Sequence, residues 1–395
     1  MDPALFGLTA LLSTLAVGGR ALFAGKRQYA LFSGLILVLT GGSVAAVFGK
    51  LGFLQPVALL LQVLAALHYG GLVAPRGMRP SWYRVGVSVP ALVYVAGALV
   101  ALPWAFALAL GFDPPLVFLP WLIALLGLPS SIHPKAQDVD LVLDYRPVRG
   151  LRRVGGGIQR TGMPLRIVQI SDPHLGPFMP VERLRAICER TAEADPDLVL
   201  LTGDYLTMES NTTAEALTLA LEPLRPIASR CYAIRGNHDL EAPAQVAQAL
   251  EANGIRLLID AAALAETRLG RVQVIGLDWH WRDRAPKMRA VLDRYPRVTG
   301  VPRLVLLHDP GAFRLIEDGQ ADLVFSGHTH GGQIGLFGLG LQRSVLALAD
   351  TPDHGFWGQG RNRLYVHRGT GHYGYPIRLG VPGEEGVLRL HLLPR

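Results

Sequence analysis

Charged residues are scarce in this 395-residue sequence: Asp, Glu, Lys and Arg make up 17% of it and apolar residues 50%, where a soluble protein carries about a quarter charged. The deficit is local. From Pro3 to Leu128 the chain is almost wholly Ala, Leu, Val, Gly and Phe, whereas beyond Lys135 its composition is that of an ordinary soluble enzyme. A single soluble domain is thereby excluded, and a membrane region followed by a globular region is implied. Cysteine is almost missing as well. Cys188 and Cys231 form no CxxC pair and no framework of bridges, so they read as small buried apolar residues. The net charge of +7 is not gathered into a tract or a helical stripe, so no nucleic-acid partner is expected. The Met-Asp-Pro start lacks a basic n-region, and no small-residue cleavage site precedes a polar segment, so a removable signal peptide is not expected.

A helix needs about 20 apolar residues to cross the hydrocarbon core. Residues 3–22, 29–48, 51–73 and 85–110 satisfy this, and 115–128 is a shorter candidate bracketed by Pro115 and Pro129. Short-loop Lys and Arg set the orientation. Arg20, Lys26 and Arg27 flank the first loop, Lys50 stands alone in the second, and Arg76, Arg79 and Arg84 lie in the third. The fourth loop has only Asp113, and Lys135, Arg146, Arg149, Arg152 and Arg153 follow the fifth run. This alternation predicts about five spans in the cell inner (cytoplasmic) membrane, with the N-terminus outside and the C-terminal domain cytoplasmic. Gln55, Gln62, His68 and Tyr94 within the runs read as helix-to-helix hydrogen-bonding groups, because none is paired as a relay. Pro90 and Pro103 are expected to kink the fourth run.

The globular half repeats one grammar. Apolar strands are predicted at 165–170, 198–201, 231–234, 303–307 and 323–325, with helices at about 181–194, 214–226 and 245–253 between the earlier ones. A strand at 138–145 precedes them, 146–162 reads as a loop, and β-rich sequence lies around 257–260 and 272–277. Strands alternating with helices imply an α/β sheet whose ligands gather beyond the strands' carboxyl ends. Directly after the five strands stand Asp172 and His174, Asp204, Asn237 to Asp239, His308, and His328 with His330. One His after a strand is ordinarily structural; five such clusters at one sheet edge point to a site. Mixed carboxylate, amide and imidazole donors suit borderline divalent ions such as Mn²⁺, Fe or Zn²⁺, and two ions close together need a shared ligand, for which a carboxylate serves.

D-x-H, G-D, G-N-H-D, a later His and G-H-x-H, in this order, resemble the calcineurin-like metallophosphoesterases. Ser171 to Gly176 and Gly327 to Ile334 are similar to the YkuE/YaeI-like branch, which includes lipid-directed phosphoesterases. The resemblance implies an α/β sandwich of two β-sheets flanked by helices, here preceded by an all-α transmembrane region. The expected division is 1–130 transmembrane, 131–163 linker and first strand, and 164–395 catalytic. It implies two divalent ions, Mn²⁺ foremost, one held by Asp172, His174, Asp204 and His330, the other by Asp204, Asn237, His308 and His328, with Asp204 bridging. It further implies His238 as general acid or electrostatic partner of the phosphoryl group, with Asp239 orienting His238 or its turn. Thr207 stands where relatives often carry an acidic residue, and Pro173 where they have a larger apolar one.

The expected function is hydrolysis of a phosphoester or pyrophosphate bond, in a lipid-linked substrate such as a UDP-diacylglucosamine-like molecule, at the bilayer face. A membrane-tethered phosphodiesterase of soluble substrates, and a transporter or sensor with a regulatory esterase-like domain, are the alternatives. The latter is disfavoured by the lack of paired intramembrane charges. Trp279-His280-Trp281 reads either as the lining of an acyl or sugar groove, or as an exposed loop or interfacial aromatic anchor. Arg235 and the Arg368 to Gly371 block, with Arg378, are candidate phosphate contacts.

Overall fold

The structure is a computed structural model, and it describes residues 2–74, 77–155, 162–335, 344–349 and 351–392. Arg76, used above for orientation, lies outside the described residues. The chain divides into two compact units, residues 1–132 with Tyr373–Leu379, and residues 133–372 with 380–395. The seven-residue stretch that joins the helical unit from far along the chain is a departure from the expected division.

Four helices in the first unit are long and apolar enough to cross a membrane: Pro3–Phe23, Arg27–Lys50, Gly52–Leu72 and Ser81–Val100. Asp2 caps the first by accepting from the Ala4 N–H at 2.8 Å, with Pro3 in the first turn. Their outward faces carry side chains that a water-soluble fold would cover, including Leu15 at 60% and Leu31 at 76% exposed. Pro90 acts as expected. It lacks an N–H and crowds the carbonyl four residues back, and the turn before it, Arg84–Ser88, widens to a π-helix. The α-helix ends at Val100 and a new one, Leu102–Ala109, starts with Pro103 in its first turn. The last helix, Leu119–Ile132, has 14 residues, about 21 Å long at 1.5 Å per residue.

Small residues and neutral polar groups bind these helices together. Tyr94 donates to Gln62 Oε1 at 3.0 Å, Ser43 to the Ala98 carbonyl at 2.7 Å, and Tyr29 to the Tyr69 carbonyl at 2.7 Å. Trp121 lies flat on Gly97, where a Cβ would come within 2.3 Å of its ring. Gly97→Leu should therefore lower the thermal midpoint of the detergent-solubilised protein, by an overpacking cost of about 1–3 kcal/mol. Gly34→Ala, at a position with no atom within 4 Å of the added Cβ, should leave the midpoint unchanged.

The second unit is a two-sheet sandwich. One sheet has six strands in the order Val139–Leu143, Val387–Leu392, Leu165–Ile170, Leu198–Leu201, Cys231–Ala233, Arg256–Leu257. The other has seven, in the order Val148–Arg153, Gly355–Gly360, Asn362–Val366, Leu323–Ser326, Arg303–Leu307, Gly270–Leu277, Ala261–Thr267. Period-two alternation splits each central strand between two cores. Leu198, Leu200, Leu304, Leu306 and Phe325 meet between the sheets, whereas Val305, Leu307 and Val324 pack outward on Met288 and Leu292 of helix Arg284–Arg294 and on Phe313. Burial on both faces explains why these strands read as unbroken apolar runs.

One expectation fails here and another is made definite. Residues 148–153, read as loop, form a strand antiparallel to Gly355–Gly360. Its Arg- and Gly-rich sequence is that of an edge strand, which needs charge to resist further pairing. The β-rich stretch resolves into a hairpin, Ala261–Thr267 with Gly270–Leu277, turning through Gly270 at φ +101°. What positions the site is unaffected. Leu165–Ile170, Leu198–Leu201 and Cys231–Ala233 are mutually parallel, as are Gly270–Leu277, Arg303–Leu307, Leu323–Ser326 and Asn362–Val366.

Candidate metal centre

Each parallel strand ends in a turn that aims one or two polar side chains inward. The turns are strained. Asp172, His174, Asp204, His328 and His330 all have φ between +49° and +67°, the left-handed region that non-glycine residues seldom occupy. Such strain persists where the surrounding structure over-determines it, and clusters at functional sites. Glycines make the close approach possible. A Cβ on Gly236 would sit 2.1 Å from Asp204 Oδ1, and one on Gly327 2.2 Å from Asp172 Oδ2.

The result is two buried groups. Asp172, His174 and His330 form one, Asp204, His308 and His328 the other, the ligand atoms within each lying inside 4.8 Å of one another. Asp204 Oδ2 is 3.2 Å from His308 Nε2 and 3.7 Å from His174 Nε2, so it reaches both groups. Asp172 Oδ1 is 3.4 Å from His330 Nε2 and 3.9 Å from His308 Nε2. Asn237 follows Gly236 on the turn that abuts Asp204, and its Oδ1 is buried without a hydrogen-bond partner.

These residues suit a pair of divalent cations. The His308 Nδ1–H donates to the Thr202 carbonyl at 2.6 Å, which fixes the tautomer and turns the Nε2 lone pair toward two carboxylates. His174 and His330 face each other Nε2 to Nε2 at 3.2 Å. Two imidazoles so placed suit a shared divalent cation. Burial opposes charge on His308, yet Asp204 and Asp172 push it up to about 10. Burial pushes His174 down to about 3. Burial alone would raise the Asp172 carboxyl, but His330, His308 and His174 hold it well below the usual carboxylate range.

Outside the two groups stand the residues expected to act on the substrate. His238 lies at the rim, its ring 5.6 Å from that of His174. Its backbone N–H donates to Asp204 Oδ1 at 2.9 Å, and its ring Nδ1 contacts Glu241 Oε1 at 3.3 Å. Burial lowers its basicity, but Glu241 and Asp204 more than offset this and raise it. Glu241 carried no motif signal; its position three residues after His238 was the only clue.

Of the two roles expected of Asp239, its contacts are those of a residue that holds the turn and not the imidazole. Fully buried, it accepts from the backbone N–H groups of Asp204 at 2.6 Å, Tyr205 at 2.8 Å and Gly236 at 2.8 Å. Burial and then the Asp204 charge push its carboxyl up to about 7, against which three donors favour the ionised form. It is a positioning residue that ties the turn bearing Asp204 to the one bearing Asn237. Arg235 likewise differs from expectation, since its guanidinium is engaged by Asp278, with Nε to Oδ1 at 3.0 Å. Thr207 bonds the Leu175 carbonyl at 2.7 Å and so closes the Asp172 turn without a carboxylate.

A two-sheet α/β sandwich with paired carboxylate–imidazole groups at the strand ends defines a metal-dependent hydrolase of phosphate esters. The sequence profile of the calcineurin-like phosphoesterases matches residues 165–332, and this segment is a calcineurin-like metallophosphoesterase domain, of a family that uses a dinuclear divalent metal site. The chain is 28% identical over 233 residues to Phosphodiesterase YaeI of Escherichia coli (strain K12), covering 58% of this chain and 82% of that protein. It is 31% identical over 286 residues to a Transmembrane protein with metallophosphoesterase domain of Danio rerio, covering 66% and 59%. It is 26% identical over 223 residues to UDP-2,3-diacylglucosamine pyrophosphatase LpxG of Chlamydia trachomatis, covering 44% and 65%. The match thus spans about three fifths of the length of the transmembrane relative. Enzyme class follows from the family: a phosphoester hydrolase.

Asp239→Asn replaces an acceptor of three N–H groups by an amide whose NH₂ must face a donor. It should reduce bound Mn²⁺ affinity about 10- to 100-fold while the far-ultraviolet circular dichroism stays that of the parent. Undiminished metal affinity would show that the tie between the turns is dispensable.

Proposed function

We propose that the chain is a dinuclear-metal-dependent hydrolase of a phosphodiester or pyrophosphate bond in a lipid-linked substrate, working at the cytoplasmic face of the inner membrane. The observation that carries the reaction is Asp204 Oδ2, within 3.2 Å and 3.7 Å of imidazole nitrogens belonging to the two separate groups. Asp172, His174, Asp204 and His330 would hold one ion, and Asp204, Asn237, His308 and His328 the other. A bound pair of divalent ions supplies positive charge for the phosphoryl oxygens and an ionised water at neutral pH.

The protein's own residues do the rest. Asp239 holds the two turns that set the Asp204–Asn237 spacing. Thr202 holds His308 in the tautomer that presents Nε2. As the water oxygen bonds to phosphorus and the opposite P–O bond breaks, His238 gives its proton to the departing oxygen. Glu241 stabilises the charged imidazole before that transfer.

Support for a lipid-linked substrate comes from the apolar helical unit and from the pyrophosphatase named for UDP-2,3-diacylglucosamine among the relatives. Support for the orientation comes from within the helical unit. Lys50 pairs with Asp113, so the second and fourth loops share one end. Tyr29 bonds the Tyr69 carbonyl and Arg79 bonds the Gly71 carbonyl at 2.6 Å, which gathers Lys26, Arg27, Arg79 and Arg84 at the other end. Tyr375 meets Tyr69 there, hydroxyl to hydroxyl at 3.1 Å. Under the positive-inside rule this basic end is cytoplasmic. Leu119–Ile132 then returns from the Asp113 end as a fifth crossing, short by about 9 Å of a hydrocarbon core about 30 Å thick.

The deciding experiment offers the purified protein in detergent with Mn²⁺ a panel of nucleotide–lipid pyrophosphates, nucleotides and aryl phosphodiesters. Asp204→Ala and His328→Ala should each lose at least 10³-fold in kcat/KM, on the scale of losing charge stabilisation in a transition state, and should bind less metal. Full activity in both would sink the reading. For orientation, a reporter fused after Arg395 should be active as a cytoplasmic protein; periplasmic activity would reverse the assignment.

A further inference from the structure

The loop after strand Gly270–Leu277 is fixed at both ends, and what it presents is unused by the chemistry above. Asp278 receives Arg235 through two nitrogens, and its own N–H donates to Asp260 Oδ1 at 3.0 Å. His280 Nε2 lies 2.8 Å from Asp260 Oδ2. Asp260 and Asp283 hold φ +48° and +53°, strained turns that bracket the loop. So fixed, Trp279 places its ring 5.2 Å from that of His328 and 5.9 Å from that of His308. The Arg284 guanidinium lies over Trp279 at 4.4 Å and pairs with Asp309, the residue after His308, at 2.5 Å. Trp281 stands edge-on to Trp279, 5.2 Å away and 73% exposed.

An indole held rigid yet left in water, two ring contacts from a candidate metal ligand, is costly unless something covers it. Resting on the hydrolase reading, we propose that Trp279 and Trp281 with Arg284 form a subsite for a planar aromatic group on the substrate, a nucleobase joined to the scissile phosphate, with Trp281 as the stacking platform. The rim decides between a base and an acyl chain. Arg282 and Asp283 are exposed beside Trp281 and Arg284 flanks Trp279, so the surface is a flat π-face among charges. A polar heteroaromatic ring suits that surface, whereas an alkyl chain needs a concave apolar groove. The rings also form a continuous series, from His328 to Trp279 to Trp281, that leads from the candidate metal ligands to the exposed indole.

The test is equilibrium binding, which needs no turnover. UMP and ribose 5-phosphate are titrated calorimetrically into the full-length, detergent-solubilised protein loaded with Mn²⁺. UMP should bind roughly tenfold tighter, the low end of what one base–aromatic stack contributes. Trp281→Ala should bring the ratio close to one, and Trp281→Phe should restore most of it. Equal affinities in the parent protein, or an unchanged ratio in Trp281→Ala, would overturn the subsite. Preferential UMP binding by a protein that hydrolyses none of the panel would instead keep the subsite and reject the hydrolase reading.

Discussion

The site depends on packing carboxylates and imidazoles against one another at the strand ends. Asp172, Asp204, His174, His308 and His330 bring oxygens and nitrogens within 3.2–4.0 Å of one another, and burial removes the water that would screen them. The backbone bears part of the cost of this crowding as left-handed conformations at five ligand positions. The strain persists because the turns have little freedom to relax. They sit directly on parallel strands whose side chains fill two cores, and Asp239 ties the two central turns with three hydrogen bonds. The fold therefore fixes the candidate ligand side chains at the strand ends through the backbone that carries them.

This explains which parts were legible in the sequence. The candidate ligands could be read because each follows an unbroken apolar run, and burial on both faces leaves few other sequences for a central strand. The same logic made Leu165–Ile170, Leu198–Leu201 and Arg303–Leu307 readable to the residue. It failed at the edges. Val148–Arg153 is exposed and basic, and only its pairing with Gly355–Gly360, some 200 residues later, makes it a strand.

Roles were less legible than positions. A G-N-H-D block gives no indication that its Asp faces backbone while a Glu two residues further on faces the imidazole. Arg235 is adjacent to the ligands and looks like a phosphate contact. Its partner is Asp278, 43 residues away, and the ion pair serves to fix the Trp279 loop. Long-range pairings of this kind depend on which strands become neighbours, which local patterns do not encode.

In the helical unit the same reasoning separates anchoring from transport. Proton or ion relays need ionisable groups that exchange charge within the spans. None of the helices Pro3–Phe23, Arg27–Val47, Gln55–Leu72, Val89–Val100 and Leu119–Ile132 contains an Asp or Glu. Three of their internal polar side chains instead bond across helices: Tyr94 to Gln62, Ser43 to the Ala98 carbonyl and Tyr29 to the Tyr69 carbonyl. Each such bond satisfies a group that lipid cannot, and each joins two helices far apart in sequence. Among the described residues the bonds between these helices are thus made by neutral groups, and the clustered carboxylates and imidazoles of the chain lie in the sandwich, where five strand ends meet.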